Sequence, residues 1–572
     1  MPGFFISNIN ANAELKNMYP DRCIKKSAKI GGGEAKLYTL NQFVQDKTFG
    51  EIDDIFVILD GYLLNKIEMM NKYEASNLKE LILRMYKSKG ETFFKDFRGC
   101  FSGAVYLKEQ SKWIIYTNQV GDMPVFYYYD GNALVVGSQL NYITDLLKKQ
   151  SLQMSYNEEC VYQILTYGYV IDDETYIKEV KRLNGGDYIV FRPGNIEIKT
   201  YHRFIKNKDR FKNYSEGQLI NEIDKGFRDA VRYEWDKDNE YGYNHIADLS
   251  GGLDSRMGLW IAHSIYSDLH VNTLTYSKAG YLDEVIAMSV ADYLGDENLF
   301  KPLDDIFFLK DIDENTFMLN GLSIYSAITG GKRLLSLVNL NRYGLEHSGM
   351  IGDVVIGSYY QGIDRLRKRH TSGMYSEKLK DRLSESVKSY ESNYYDYEIY
   401  LMYARGFHGI SNTHLLRRNY AETGSPFMNV DFMQLCFDIP VELRMDHQLY
   451  IKWILAKYPD ASEFIWESTG HKITEGNKRK FIRRVKNKVK SEIDNRLGKV
   501  SSDGMNPIDF WLKRNTKISK FLNDYKSSEM SYDEGIFSDQ LKKDLNYLYE
   551  QGNSSEQSMV LTVLSATKQF YR

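Results

Sequence analysis

A strand that runs into a glycine-serine turn and out into a helix constrains this chain more than any other segment. It reads Ile246-Ala247-Asp248-Leu249-Ser250-Gly251-Gly252-Leu253-Asp254-Ser255-Arg256. Two adjacent glycines let backbone N–H groups converge on one concavity without Cβ interference, and the helix that follows adds the positive end of its dipole. Ser250 and Ser255 add hydroxyl donors, and Asp254 adds a carboxylate able to hold Mg2+ against a polyphosphate. The segment therefore reads as a phosphate cradle. It lacks the G-x-x-x-x-G-K-S/T pattern of the ordinary P-loop, so γ-phosphate transfer is not its natural chemistry.

The surrounding periodicities predict an α/β protein. Before residue 200, short alternating runs such as Ile55 to Leu59, Cys100 to Leu107, Trp113 to Thr117, Val125 to Tyr129 and Ala133 to Gly137 are bounded by turns, with Asp130-Gly131-Asn132 as a hairpin signal. They predict a layered sheet. Ser215 to Trp235 carries apolar residues at helical spacing, and from Tyr243 strand-like runs alternate with helices, which predicts a parallel sheet with ligand at its carboxyl ends. The expected organisation is residues 1–205, a connecting helix over 206–240, and residues 241–572 with a helical C-terminal portion. With 572 residues the chain is too long for one core, and a net charge of −3 argues against a generic nucleic-acid binder. Cys23, Cys100, Cys160 and Cys436 form no C-x-x-C pair, so neither zinc nor a disulfide framework is indicated. The absence of a long apolar run and of a signal-type start leads to the expectation of a cytoplasmic protein. Residues 478–490 are strongly basic and read as an amphipathic helix that is either a solvated face or a contact surface for RNA, an anionic carrier or a membrane.

A second glycine-punctuated turn, Ser348-Gly349-Met350-Ile351-Gly352-Asp353, follows about 100 residues later. Asp254 and Asp353 together are expected to flank one Mg2+ on the phosphates of ATP. Further on come Glu422-Thr423-Gly424-Ser425-Pro426-Phe427 and a glycine-flanked loop containing His471-Lys472.

The string S-G-G-L-D-S resembles the pyrophosphate-gripping loop of the ATP pyrophosphatase superfamily. The order S-G-G-L-D-S, S-G-x-x-G-D, E-x-x-x-P-F and a late Lys is similar to the synthetase half of the asparagine synthetase family. Gly99 to Ala104, Gly121 to Gly131 and Val180 to Gly186 resemble that family's amidotransferase half. The resemblance implies an Ntn-hydrolase-like αββα sandwich followed by a doubly wound parallel-sheet synthetase. It also implies that ATP is held by Leu249, Ser250, Gly251, Gly252, Leu253, Asp254, Ser255, Ser348, Gly349 and Asp353, with Asp254 and Asp353 as metal ligands.

Departures from the family pattern are equally informative. The family's nucleophilic Cys follows the initiator Met, whereas this sequence reads Met1-Pro2-Gly3; Tyr62 stands where the family has the Glu of N-G-E, and no H-R-G-P-D loop lies between Lys25 and Tyr38. A dead glutaminase is expected. Met350 replaces the Glu of the family's second loop, and Thr423-Gly424 replaces x-Arg, which makes asparagine a doubtful product. Relatives with similar changes are the β-lactam synthetases and lasso-peptide cyclases, in which a carboxylate is adenylated and an amine attacks it. By that resemblance Glu422 is the expected general base and Lys472 the group that counters charge in the intermediate. The expected partners are a small-molecule or peptide carboxylate and an amine, with homodimerisation left open. An ammonia-dependent asparagine synthetase, a sugar-acid amidating enzyme, a tRNA-modifying enzyme and a silent ATP-binding homologue are the competing readings.

Overall fold

The computed structural model describes residues 2–9, 22–327, 329–360, 373–475, 501–532 and 535–572. The basic stretch 478–490 lies outside the described residues. The alternating runs of the first 200 residues form β1 (Gly3–Ser7), β2 (Cys23–Ile30), β3 (Gly33–Leu40), β4 (Thr48–Ile52), β5 (Ile55–Leu63), β6 (Gly99–Leu107), β7 (Lys112–Thr117), β8 (Phe126–Tyr129), β9 (Leu134–Gly137), β10 (Val180–Arg182), β11 (Asp187–Arg192) and β12 (Asn195–Thr200). They pair into two six-stranded sheets, β10-β8-β9-β1-β3-β2 and β12-β11-β7-β6-β5-β4. Phe4, Ile6, Ile58, Ala104, Ile115 and Val136 fill the layer between the sheets, as period-2 strands with two buried faces require. The helices α1 (Lys66–Lys72) and α2 (Leu78–Lys89) cover one outer face, where Met69, Leu81 and Ile82 meet Val57 and Phe101. On the other, α3 (Leu140–Lys149) and α4 (Glu158–Tyr167) pack Ile143, Leu146 and Ile164 against Phe5 and Val135. The Asp130-Gly131-Asn132 turn joins β8 to β9 in antiparallel register from Phe126↔Gly137 to Tyr129↔Leu134.

The 26-residue helix α5 (Glu216–Tyr241) starts on a Ser215–Gln218 capping box and ends at Gly242 in the left-handed region, the N-terminal and C-terminal signals of a stable helix. Its apolar stripe, Leu219, Ile223, Phe227, Val231 and Trp235, is buried. Beyond it, β13 (Asn244–Asp248), β14 (Val271–Ser277), β15 (Glu297–Pro302), β16 (Tyr343–His347) and β17 (Thr423–Gly424) form a parallel sheet in the order β15-β14-β13-β16-β17. Helices α6 (Leu253–Ile265) and α7 (Leu282–Leu294) make the crossovers to β14 and β15. The chain then returns to the other side of β13 as β16, so the topological switch point lies between β13 and β16, where open α/β sheets bind ligands. No helix of the described residues is long and apolar enough to cross a membrane.

A buried polar network seats α5 under these two strands. Asp238 Oδ1 accepts the Leu345 N–H at 2.8 Å, while Asp238 Oδ2 lies 2.9 Å from both His245 Nδ1 and His347 Nε2. The other ring nitrogen of His347 is 3.5 Å from Glu234 Oε2, and the Trp235 indole stacks on the imidazole at 4.1 Å and 5°. Burial alone would lower the His347 pKa, but the Asp238 and Glu234 carboxylates outweigh it and raise it from 6.5 to about 9. The imidazolium is therefore the native species at neutral pH. Because the folded value is raised, the stability it contributes is complete below about pH 6.5 and is lost as pH rises through about 9. Thermal unfolding scanned against pH is expected to show an alkaline loss of about 1–3 kcal/mol across that window. The His347→Gln variant should be less stable at pH 6 and should show little of that loss.

Candidate active site

The two glycine turns meet at the carboxyl ends of β13 and β16. The pairings Ile246↔Glu346 and Ala247↔His347 put the strand ends side by side, so the loops that leave them touch. A Cβ on Gly349 would stand 2.7 Å from the Asp254 carbonyl carbon, and one on Gly352 would stand 2.6 Å from Asp254 Cγ. Neither position admits a side chain without moving the first loop. The Asp353 N–H donates to Asp254 Oδ2 at 2.9 Å, and the Tyr450 hydroxyl donates to Asp254 Oδ1 at 2.9 Å. Burial, and after it the Asp353 charge, holds the Asp254 carboxyl well above the usual range. Two carboxylates on abutting loops are the all-oxygen donor chemistry that a hard divalent cation takes, and such a cation would relieve their repulsion.

Between these loops lies a cavity of about 270 Å3, lined by Asp248, Leu249, Ser250, Gly252, Asp254, Ser255, Leu274, Tyr276, Ser348, Gly349, Met350, His414, Arg417 and Met505. Leu249, Ser250, Gly252, Asp254, Ser255, Ser348 and Gly349 are thus brought together on one wall. Three expected members of the nucleotide-holding set, Gly251, Leu253 and Asp353, are not on it. The Gly251 N–H donates to Asp283 Oδ1 at 2.7 Å, on the far side of the turn, and Leu253 packs into the core. Asp283 answers with a carboxyl raised to about 6, by burial and by Glu467 against the opposing Gly251 N–H bond. Asp353 is exposed beside the cavity and reaches it through Asp254. The serines close the loop on itself: the Ser250 N–H donates to Ser255 Oγ at 3.0 Å and the Gly252 N–H to Ser250 Oγ at 3.2 Å. A phosphate oxygen can take over both donors at the N-terminus of α6.

Glu422 and Lys472 do not line this cavity. Glu422 sits between the parallel sheet and the sandwich, where the buried Lys47 Nζ donates to its Oε1 at 2.7 Å and to the Leu40 carbonyl at 3.0 Å. Its own N–H donates to Gln42 Oε1 at 2.8 Å. Lys472 pairs with Glu463 at 2.7 Å on the surface. The sequence motif placed both residues in the right segments, but a motif carries no information about which way a side chain points once a second sheet packs against it. Tyr62 points into the same seam: its buried hydroxyl donates to the Thr423 carbonyl at 3.1 Å. Arg418 crosses from the other side, with Nη2 2.9 Å from Asp122 Oδ2. The strand these contacts hold, β17, carries the Gly424 carbonyl that accepts both the N–H and the hydroxyl of Ser348 at 2.9 Å.

Sequence reasoning missed Tyr450, His414 and Arg417, which come from distant helical segments with no motif of their own. Tyr420 is in a core cluster and Tyr359 is buried, with its phenol pushed far up by that burial. Burial also raises the thiols of Cys23, Cys100, Cys160 and Cys436, so none has the depressed pKa of an activated nucleophile.

Comparison with known proteins agrees with this architecture. A family model described as a glutamine amidotransferase domain matches residues 48–202. A putative asparagine synthetase (glutamine-hydrolyzing) 2 of Methanocaldococcus jannaschii is 23% identical over 326 residues, covering 55% of this chain and 61% of the relative. Asparagine synthetase (glutamine-hydrolyzing) 1 of Bacillus subtilis is 23% identical over 277 residues, covering 46% and 41%, and asparagine synthetase B of Escherichia coli is 25% identical over 185 residues, covering 32% and 27%. Each match spans less than two thirds of the relative. The fold and these likenesses define an amidotransferase-type sandwich joined to a synthetase-type α/β sheet. At this low identity the chain is similar to the asparagine synthetases over part of its length.

The Lys47–Glu422 contact makes a stability prediction. Removing one partner of a buried ion pair leaves the other charge unpaired at a cost of about 3–5 kcal/mol. Denaturant unfolding should show that loss for Lys47→Met, with much of it recovered in the Lys47→Met/Glu422→Leu double variant. Lys472→Ala, by contrast, should stay within about 0.5 kcal/mol of the parent, as an exposed pair allows.

Proposed function

We propose that this protein is an ATP-dependent, AMP-forming C–N ligase that adenylates a substrate carboxylate, transfers the acyl group to an amine, and has no glutaminase activity of its own. The observation that carries the reading is the meeting of the Ser250–Ser255 turn with the Ser348–Asp353 turn over one cavity at the switch point. A carboxylate oxygen attacks the α-phosphorus of ATP, the bond to the bridging oxygen breaks, and pyrophosphate leaves with the electron pair. Ser250, Gly252 and Ser255 hold the departing pyrophosphate with the backbone and hydroxyl donors that now close the loop on itself. A Mg2+ ion held by Asp254 and Asp353 would neutralise phosphate charge. Attack by the amine on the acyl-adenylate then forms the amide and releases AMP and a proton.

Two features support a separate source of amine. Tyr62 occupies the place where the family resemblance puts a glutamine-holding Glu, and its hydroxyl is committed to the Thr423 carbonyl. All four thiols are held in the protonated form by burial. Within this reading Glu422 acts through structure, by fixing β17 and with it Ser348, and Lys472 remains outside the chemistry of the described cavity.

The test is exchange of radiolabelled pyrophosphate into ATP, run over a panel of carboxylic acids. A productive acid should support exchange in the parent, and Asp254→Ala should lower it by at least about 100-fold. Exchange that survives this substitution sinks the loop assignment. Glutamate release from glutamine should not exceed the buffer rate.

A further inference from the structure

Part of the cavity wall carries a cation that neither the motif nor the family resemblance points to. Arg417, on the short helix Leu415–Arg418, is buried yet lines the cavity. Its guanidinium is fixed from several sides. Nη1 is bonded to Asp248 Oδ2 and lies 2.6 Å from Glu346 Oε1, while Nη2 donates to Asp248 Oδ1 and to the Tyr276 hydroxyl, each at 3.1 Å. Gly331 packs so closely that a Cβ there would stand 2.9 Å from both Arg417 Cζ and Nε. The Nε–H has no hydrogen-bond partner among the described residues, although it is buried. A buried donor left unmade costs on the order of 1–3 kcal/mol, and an arriving acceptor would recover it.

Position and charge agree. Asp248 is the last residue of β13 and Glu346 the penultimate residue of β16, so the guanidinium is held across the switch point itself. Among the described residues lining the cavity, Arg417 is the one permanently charged cation: burial, with the Arg417 and Arg418 charges, holds His414 neutral. A planar guanidinium fixed by the Asp248 carboxylate and by Glu346, whose carboxyl is raised by burial to about 8 against the pull of Arg417, presents its charge without reorganising, the arrangement that best stabilises charge developing on phosphate oxygens.

We propose that Arg417 binds the α-phosphate of the nucleotide, the phosphorus at which the carboxylate attacks, while the Ser250–Ser255 turn holds the two phosphates that leave; the assignment rests on the adenylating reading above. It divides the cavity into an AMP end and a pyrophosphate end. Asp248 and Glu346 are positioning residues for the guanidinium. As the carboxylate oxygen adds and the bridging bond breaks, charge on the non-bridging α-oxygens grows in front of Arg417.

Isothermal titration calorimetry of the full chain with Mg2+ and either AMP or pyrophosphate tests the division. Arg417→Gln should weaken AMP binding by about 10- to 100-fold, the scale of a hydrogen bond to a charged group, and change pyrophosphate binding by less than about twofold. Asp254→Ala should do the reverse. Because Arg417→Gln leaves the partly exposed Asp248 and the buried Glu346 facing a neutral side chain, Arg417→Lys is the second variant: it keeps the charge, loses the fork, and should recover AMP affinity only in part. Equal losses of AMP and pyrophosphate binding in a variant that remains folded, or AMP binding unchanged in either variant, would overturn the Arg417 assignment and leave the adenylating reading standing. A parent protein that binds neither ligand overturns both.

Discussion

One buried carboxylate ties the site to its support. Asp238 spends Oδ1 on the backbone of Leu345 and Oδ2 on His245 and His347, so a single side chain of α5 fixes both β13 and β16. Those strands must lie side by side, because each delivers one of the two turns that meet over the cavity. With every acceptor position engaged and two imidazole partners, the Asp238 carboxyl is held below its usual range despite full burial. Such a network is costly to leave half satisfied. It accounts for a long helix being placed directly beneath the switch point.

The sandwich serves the same end from the other side. Gln42, Lys47, Tyr62 and Asp122 reach across to residues 343–344 and 418–423, and β17 is the edge strand whose Gly424 carbonyl fixes Ser348. An edge strand of two residues has little pairing of its own, so polar contacts from outside the sheet set its place. Tyr62 is buried in that seam, and its hydroxyl finds an acceptor in the Thr423 carbonyl.

Legibility followed the range of the interaction that decided each feature. The strands from Ile55, Cys100, Trp113, Val125 and Ala133, the helix over Ser215 to Trp235 and the alternation after Tyr243 rest on local period and turn chemistry, and they stand where the sequence predicts. The Gly251 N–H turns toward Asp283, thirty-two positions away in the chain, and Glu422 meets Lys47, 375 positions away, contacts that no local pattern shows.

What the amino-acid sequence determined by itself is the pair of glycine turns, the strand and helix periods around them, and the presence of Tyr62, Met350 and Thr423-Gly424 at positions where the family resemblance expects Glu, Glu and x-Arg. These are properties of short segments, fixed by φ/ψ freedom and side-chain chemistry. Tertiary structure alone decided which groups face the cavity. Arg417 and His414 converge on it, Tyr450 reaches it only through Asp254, and Glu422 and Lys472 do not line it, because the direction of a side chain is settled by packing between segments hundreds of residues apart.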